Sequence, residues 1–418
     1  MRRFFSICLL CLFPLIVVAH EEMDGKQEEA DIGALQKWLK DKRLVTVKEI
    51  GGNLSLSGEV RVEMQGTHER KNVLILPKPN DQQRGHGGFK PSYGWDVEVN
   101  IMLDYHTDRT WAAVKLEFDN DMGTFSGTTN KIKLEKAFLG GRIIAGDTVT
   151  FDAEIGRRFL NQVYDSKVEF SSLYDGLLLR FSKASEAIGD FYINAGPFVV
   201  DDKFNHYAWI AELGFLRIGN TGFFVKYSIV DWKKHYSNKS DSTKTKNPRF
   251  DYLVNQLMLG YQCNLPSWNK FLKVYLAGLY NPYAKPLEVI SYKRANLGWY
   301  VGVSLGQIRK AGDWAFDTNY QWVRAQTVPD FDAGGIKRGN AEDVGTYTVK
   351  QDGTGGAITN KRITVGGGNF KGLAIDFLYA FTASLTMQNS LAFSKTLDHA
   401  IGPSIHYLQY EIELIYAF

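Results

Sequence analysis

The sequence predicts an all-β protein: a closed antiparallel transmembrane β-barrel of about sixteen strands, with a short N-terminal periplasmic helical segment. Three observations carry that expectation. Apolar and polar side chains alternate with period two through most of the chain after Asn53. The final stretch, LQYEIELIYAF, has Leu408, Tyr410, Ile412, Leu414, Tyr416 and Phe418 on one face and Gln409, Glu411 and Glu413 on the other. Connections between the alternating segments switch regularly between short and long.

The N-terminus adds a compartment. Met1, Arg2 and Arg3 precede an apolar run from Phe4 to Val18, and Val17 and Ala19 suit a signal peptidase, so residues 1–19 read as a signal peptide cleaved after Ala19. The leader takes Cys8 and Cys11 with it and leaves Cys263, so no intramolecular disulfide is expected. It also takes Arg2 and Arg3 from the 49 bases, leaving 47 against 46 acids. So even a balance argues against nucleic acid as a partner. No later apolar run approaches the roughly 20 residues of a membrane-spanning helix.

Residues 20–52 form a separate N-terminal segment. Its acidic opening leads into Ile32, Leu35, Trp38 and Leu39 at helical spacing, predicting an amphipathic helix on the periplasmic side. Residues 53–418 read as the barrel. Leu54, Leu56, Val60, Val62 and Met64 alternate with Ser55, Ser57, Glu59, Arg61 and Glu63, and the same period returns from Trp95 to Tyr105. Further strands are expected at residues 114–118, 131–144, 149–158, 176–182, 191–200, 206–216, 223–231, 252–262, 271–280, 299–308, 314–323, 372–382, 386–395 and 405–418. Strands of about 9–11 residues suit a tilted crossing, and an even number returns both termini to one side. Asp108-Arg109, Gly146-Asp147, Gly219 to Gly222 and Ala311-Gly312 read as short periplasmic turns; residues 66–93, 232–249, 281–297 and 324–371 read as long outer loops. The glycine tracts at 353–356 and 366–368 have no strand-to-helix context and read as loop.

The stretches LVTVKEIGGNLSLSGEVRVE (44–63), LEKAFLG (134–140), AEIGRRF (153–159), YDSKVEFSSLYDG (164–176) and the terminal strand together resemble bacterial outer-membrane porins of the sixteen-stranded type, most of all those of chlamydia-like bacteria. The resemblance implies a pore for passive diffusion of ions and small hydrophilic solutes, without fixing a solute. It also implies that the connection 160–175 folds inward as a constriction, with Asp165, Lys167 and Glu169 on it and Arg157 and Arg158 just before it.

Alternation assigns Glu59, Arg61, Glu63, Asp96, Glu98, Lys115, Glu117, Asp152, Glu154, Glu411 and Glu413 to the lumen, with Asp104, Glu212, Asp317, Lys133, Arg180, Lys226 and Lys273 beside them. This set leans acidic while the outer loops lean basic, so the sign of selectivity stays open. Tyr416 and Phe418 are the expected assembly signal, read by the barrel assembly machinery. Outer-membrane lipid is the expected surrounding; the oligomeric state stays open, with a homotrimer among the alternatives. No cofactor or metal is expected: the histidines are scattered and lack ligand spacing. A surface adhesin or structural protein is the second reading, resting on the long loops. A barrel hydrolase is the third, resting on Asp398, His399, Ser404 and His406, although no glycine-framed serine accompanies them.

Overall fold

The computed structural model describes residues 45–49, 52–71, 92–123, 131–185, 189–201, 206–232, 251–287, 290–336, 346–352, 358–364, 368–398 and 405–418. The expected leader and amphipathic helix lie outside the described residues. In chain order the strands are β1 Val45–Glu49, β2 Gly52–Lys71, β3 Ser92–His106, β4 Thr110–Asp121, β5 Lys131–Ala145, β6 Val149–Phe159, β7 Leu173–Lys183, β8 Asp190–Asp201, β9 His206–Leu216 and β10 Phe223–Trp232. They continue with β11 Tyr252–Leu265, β12 Lys270–Tyr280, β13 Leu297–Gly306, β14 Trp314–Val323, β15 Thr346–Asp352, β16 Ile358–Thr364, β17 Phe370–Ala380, β18 Leu385–Thr396 and β19 Ile405–Ala417.

Sixteen of these, β2 to β14 and β17 to β19, pair antiparallel with their neighbours and close on themselves. Each expected strand overlaps one of them, with ends that differ by a few residues, as at β13 and β17. Closure follows from sequence order: nearly every strand pairs with the next along the chain, which keeps connections short and leaves no free edge. At the seam β19 runs along β2 from Ile405 opposite Lys71 to Ala417 opposite Glu59. Phe418 completes it with two backbone hydrogen bonds to Gly58, of 2.9 and 2.8 Å. Its ring lies over Gly58, where a Cβ would come within 2.5 Å of Phe418 Cζ. Strand β1 takes up the same edge of β2 beyond the end of β19, from Val45 opposite Leu56 to Glu49 opposite Gly52. The segment assigned to residues 20–52 therefore ends in a strand that extends the seam. A separate hairpin, β15 with β16, lies in the connection between β14 and β17.

The two faces of the wall differ as the period demands. Outward positions carry Leu56, Val62, Trp95, Leu103, Ile155, Leu177, Trp209, Leu257, Leu259, Leu276, Trp299, Ile412 and Leu414, all well exposed. An apolar band around the whole circumference far exceeds the patches soluble monomers tolerate. Strand β5 interrupts the alternation: its register shifts opposite Lys115/Leu116 and again between Arg142 and Ile144. These bulges turn Glu135 inward to meet Lys115 at 2.5 Å while Ile143 and Ile144 stay outside.

Candidate functional site

The connection between β6 and β7 lies inside the barrel. It leaves β6 through a single 3-10 turn, Leu160–Gln162, and its ends are tied by Leu160 N to Ser172 O and Asn161 N to Phe170 O, at 2.9 and 3.0 Å. Its length and apolar residues explain why it does not stay at the rim: Leu160, Tyr164, Val168 and Phe170 are all buried in one cluster with inward side chains of the wall from β8 to β13, among them Phe198, Phe224 and Tyr300. Tyr164, Phe170, Tyr174 and Phe198 form a run of ring contacts that continues to Trp232 and Phe331.

Polar contacts fix the loop to that wall. Asp165 lies between Lys226 on β10 and Lys273 on β12, at 3.1 and 3.4 Å, and Lys167 reaches Asp317 on β14 at 3.3 Å. Burial alone would raise the Asp165 carboxyl, but Lys273 and Lys226 outweigh it and hold it far below the usual carboxylate range. Gln256 on β11 accepts from Ser166 Oγ at 2.7 Å and from Tyr300 OH at 3.1 Å, while its amide donates to Asp165 O at 2.8 Å. Gln321 on β14 donates to Lys167 O at 3.1 Å.

A second connection meets the first from behind. Residues 324–336, read in the sequence as outer loop, turn inward, with Ala325, Gln326, Thr327, Val328 and Asp332 fully buried. Asp332 accepts from Phe170 N at 3.2 Å and Ser172 N at 3.1 Å, and Gly334 N donates to Val168 O at 2.7 Å. This bracket holds Phe170 at φ 75°, a left-handed conformation costly for an aromatic residue. Burial pushes the Asp332 carboxyl up to about 7 against those hydrogen bonds. Glu169 beside it is 2% exposed, and burial followed by the Asp332 and Glu212 carboxylates raises it well above its ordinary range.

The two loops fill the half of the barrel walled by β7 to β14. The opposite half stays polar. Inward positions of β17, β19, β2 and β3 carry Asp376, Glu411, Glu413, Glu59, Glu63, Asp96, Glu98 and Asp104, with Arg61 set among them. Arg61 sits 2.6 Å from Glu59 and 3.9 Å from both Glu98 and Glu413. Carboxylate oxygens of Glu63, Glu411 and Glu413 lie within 4.8 Å of one another, a spacing that one cation can bridge. On β4 to β6 the charges are mixed and paired: Lys133 with Glu117 and Asp119, Arg142 with Asp152, and Arg158 with Glu154.

The eleven residues that alternation assigned to the lumen share the inner face of their strands. The five assigned to the constriction do not act as one group. Arg158 is inward and nearly buried, bonded to Glu154 and 3.6 Å from the centre of the Phe138 ring. Arg157, one residue earlier, projects from the other face, where its Nε and Nη2 donate to the two Asp175 carboxylate oxygens at 2.7 Å each; strand parity separates it from the lumen. Asp165 and Lys167 are brought together with Lys226, Lys273 and Asp317, whereas Glu169 is enclosed between the loops. Tyr416 and Phe418 are outward at the seam. His399 and Ser404 lie outside the described residues, and His406 faces outward on β19. Sequence reasoning missed Asp332, Gln256 and Gln321. A signal existed for Asp332: the segment Val328 to Ile336 is unusually apolar for an outer loop.

No protein-family model matches the sequence, and no curated protein matches it. Among solved structures it is similar to OprB of Pseudomonas putida, with 10% identity over 95% of this chain and 100% of that one at a TM-score of 0.49. OmpF of Salmonella typhi, in complex with daunomycin, gives 13% identity over 90% and 100% at 0.45. The outer-membrane channel DcaP of Acinetobacter baumannii gives 12% identity over 89% and 99% at 0.46. The class of this protein is defined by its own register: a closed sixteen-stranded antiparallel barrel with two loops folded into it.

Proposed function

We propose that the chain is a porin-type channel of the bacterial outer membrane that passes ions and small hydrophilic solutes and favours cations. The observation that carries this reading is the inner acidic arc of β17, β19, β2 and β3, facing a lumen from which the inward loops are held away by contacts to the far wall. The apolar outer belt supports the membrane setting, because a sheet closed on itself leaves no backbone group unpaired in lipid. Fixed carboxylates lining a narrow passage raise the local cation concentration. Screening over about 8 Å at physiological salt restricts that effect to solutes passing close to the wall.

Resemblance to the porins of chlamydia-like bacteria, export by a cleaved leader, and insertion through recognition of the terminal strand belong to the same reading. The test is reconstitution of the refolded chain in planar bilayers under a salt gradient. Stepwise conductance with a reversal potential of cation sign is expected. Absence of conductance from properly folded protein would favour an adhesin or structural role.

A further inference from the structure

The interface between the two inward loops holds a carboxylate that the channel reading does not use. Glu169 on the first loop is 2% exposed, and among the described residues neither of its carboxylate oxygens has a hydrogen-bond partner. Its backbone is pinned on both sides, so it cannot swing away to find one. Glu169 N donates to Ser166 Oγ at 3.1 Å, Phe170 N donates to Asp332 at 3.2 Å, and Val168 O accepts from Gly334 N at 2.7 Å. The charges that act on Glu169 are those of Asp332 and Glu212, both buried and both acidic. The buried lysines of the docked face, Lys226 and Lys273, are drawn to Asp165 instead, at 3.1 and 3.4 Å, and Lys167 is drawn to Asp317. Asp165, Glu169, Glu212 and Asp332 therefore exceed the two buried lysines by two negative charges. The Tyr164 hydroxyl, in the same buried cluster as Val168 and Phe170, also lacks a partner among the described residues.

We propose that Glu169 binds a divalent cation of the calcium kind, which ties the two inward loops together. Buried charges are stable when they are paired or bound to a metal. A proton on Glu169 would add a donor and still leave both oxygens without a partner. Two open oxygens on one fixed carboxylate suit bidentate coordination, and calcium fills its roughly six to eight oxygen places with carbonyls and water beside such a group. Asp332 and Glu212 act through their charge, since Asp332 accepts from Phe170 N and Ser172 N and Glu212 accepts from Tyr192 OH at 2.8 Å. The proposal goes beyond the channel reading and needs only the folded barrel.

The test uses the full chain refolded in detergent, carrying Glu63→Gln, Glu411→Gln and Glu413→Gln so that the lumen carboxylates take no ion. Terbium, a calcium mimic whose luminescence is sensitised by nearby rings such as Tyr164 and Tyr174, is titrated and then displaced with calcium. Saturable luminescence that calcium removes is expected, and adding Glu169→Gln should weaken terbium by about tenfold or more, the scale on which even outer-shell changes act. Absence of saturable binding, or equal affinity after Glu169→Gln, overturns the proposal. Bilayer recordings at pH 8 give a second readout. Calcium should quiet the current of the parent relative to EDTA, whereas Glu169→Gln, which removes the buried charge, should be equally quiet in both. A parent whose noise is the same in calcium and EDTA overturns the proposal too. A silent parent sinks the channel reading and leaves terbium to decide the ion.

Discussion

The half of the barrel walled by β7 to β14 and the half walled by β17 to β19, β2 and β3 obey the same alternation yet are filled differently. In the first, inward positions are Tyr174, Leu178, Phe198, Ile210, Phe224, Met258 and Tyr300, all but sealed from solvent. In the second most are carboxylates, amides and hydroxyls, with a small apolar cluster of Leu378, Ala380, Ile415 and Ala417 at the short-turn end. The inward loops explain the difference. Where a loop covers the wall, apolar side chains gain about 25 cal/mol per Å² removed from water, and where none does, a polar lining is the stable choice. One half is therefore a folded core inside a barrel, and the other is a passage.

The strongest way to break this division is at the ionic latch. Asp165→Ala should leave Lys226 and Lys273 buried without their anion, costing about 3–5 kcal/mol of loop docking. The expected readout is larger, noisier conductance with the barrel still heat-modifiable; unchanged current noise would show that the latch does not hold the loop.

Next in size is closure of the passage half. Phe418→Ala removes the half-exposed ring that lies over Gly58, and with it part of the seam packing. Assembly in vivo should drop sharply while channels that do form conduct as before. Normal surface levels would sink this.

The bracket between the loops should respond to pH. The Asp332 carboxyl stands at about 7 in the folded protein against 3.8 when free. An acid raised on folding gives docking that is complete below its free value, weakens as pH climbs toward 7 and levels off above. Glu169 adds in the same direction, whereas Asp165, held low by its lysines, stays charged across this window. Current noise should grow from pH 5 to pH 8, and Asp332→Asn should flatten most of that rise. A pH-independent parent contradicts the assignment.

Selectivity tests the other half. Glu63→Gln, Glu411→Gln and Glu413→Gln together should move the reversal potential toward zero by several millivolts in a tenfold gradient, with little change in conductance. Equal reversal potentials would transfer selectivity elsewhere. The smallest effect is expected from Arg157→Gln. An exposed pair such as Arg157 with Asp175 is worth about 0–1 kcal/mol, and its outward position leaves the reversal potential unchanged. A measurable shift would put Arg157 back in the lumen.

The sequence by itself determined the closed barrel, its strands and the inner face of most of them, because a period of two is a local property that each segment displays alone. Leu54 to Met64 and Leu408 to Phe418 declare both faces without reference to any neighbour. Where that period weakens, the sequence signal weakens too: β12, KFLKVYLAGLY, is apolar on both faces because a loop covers its inner one. Only the tertiary structure decided which connections fold inward, that Asp332 brackets Phe170, and that the bulges of β5 turn Glu135 toward Lys115. Those contacts join residues up to 162 positions apart, and no local pattern carries the identity of a partner that chain closure alone brings within reach.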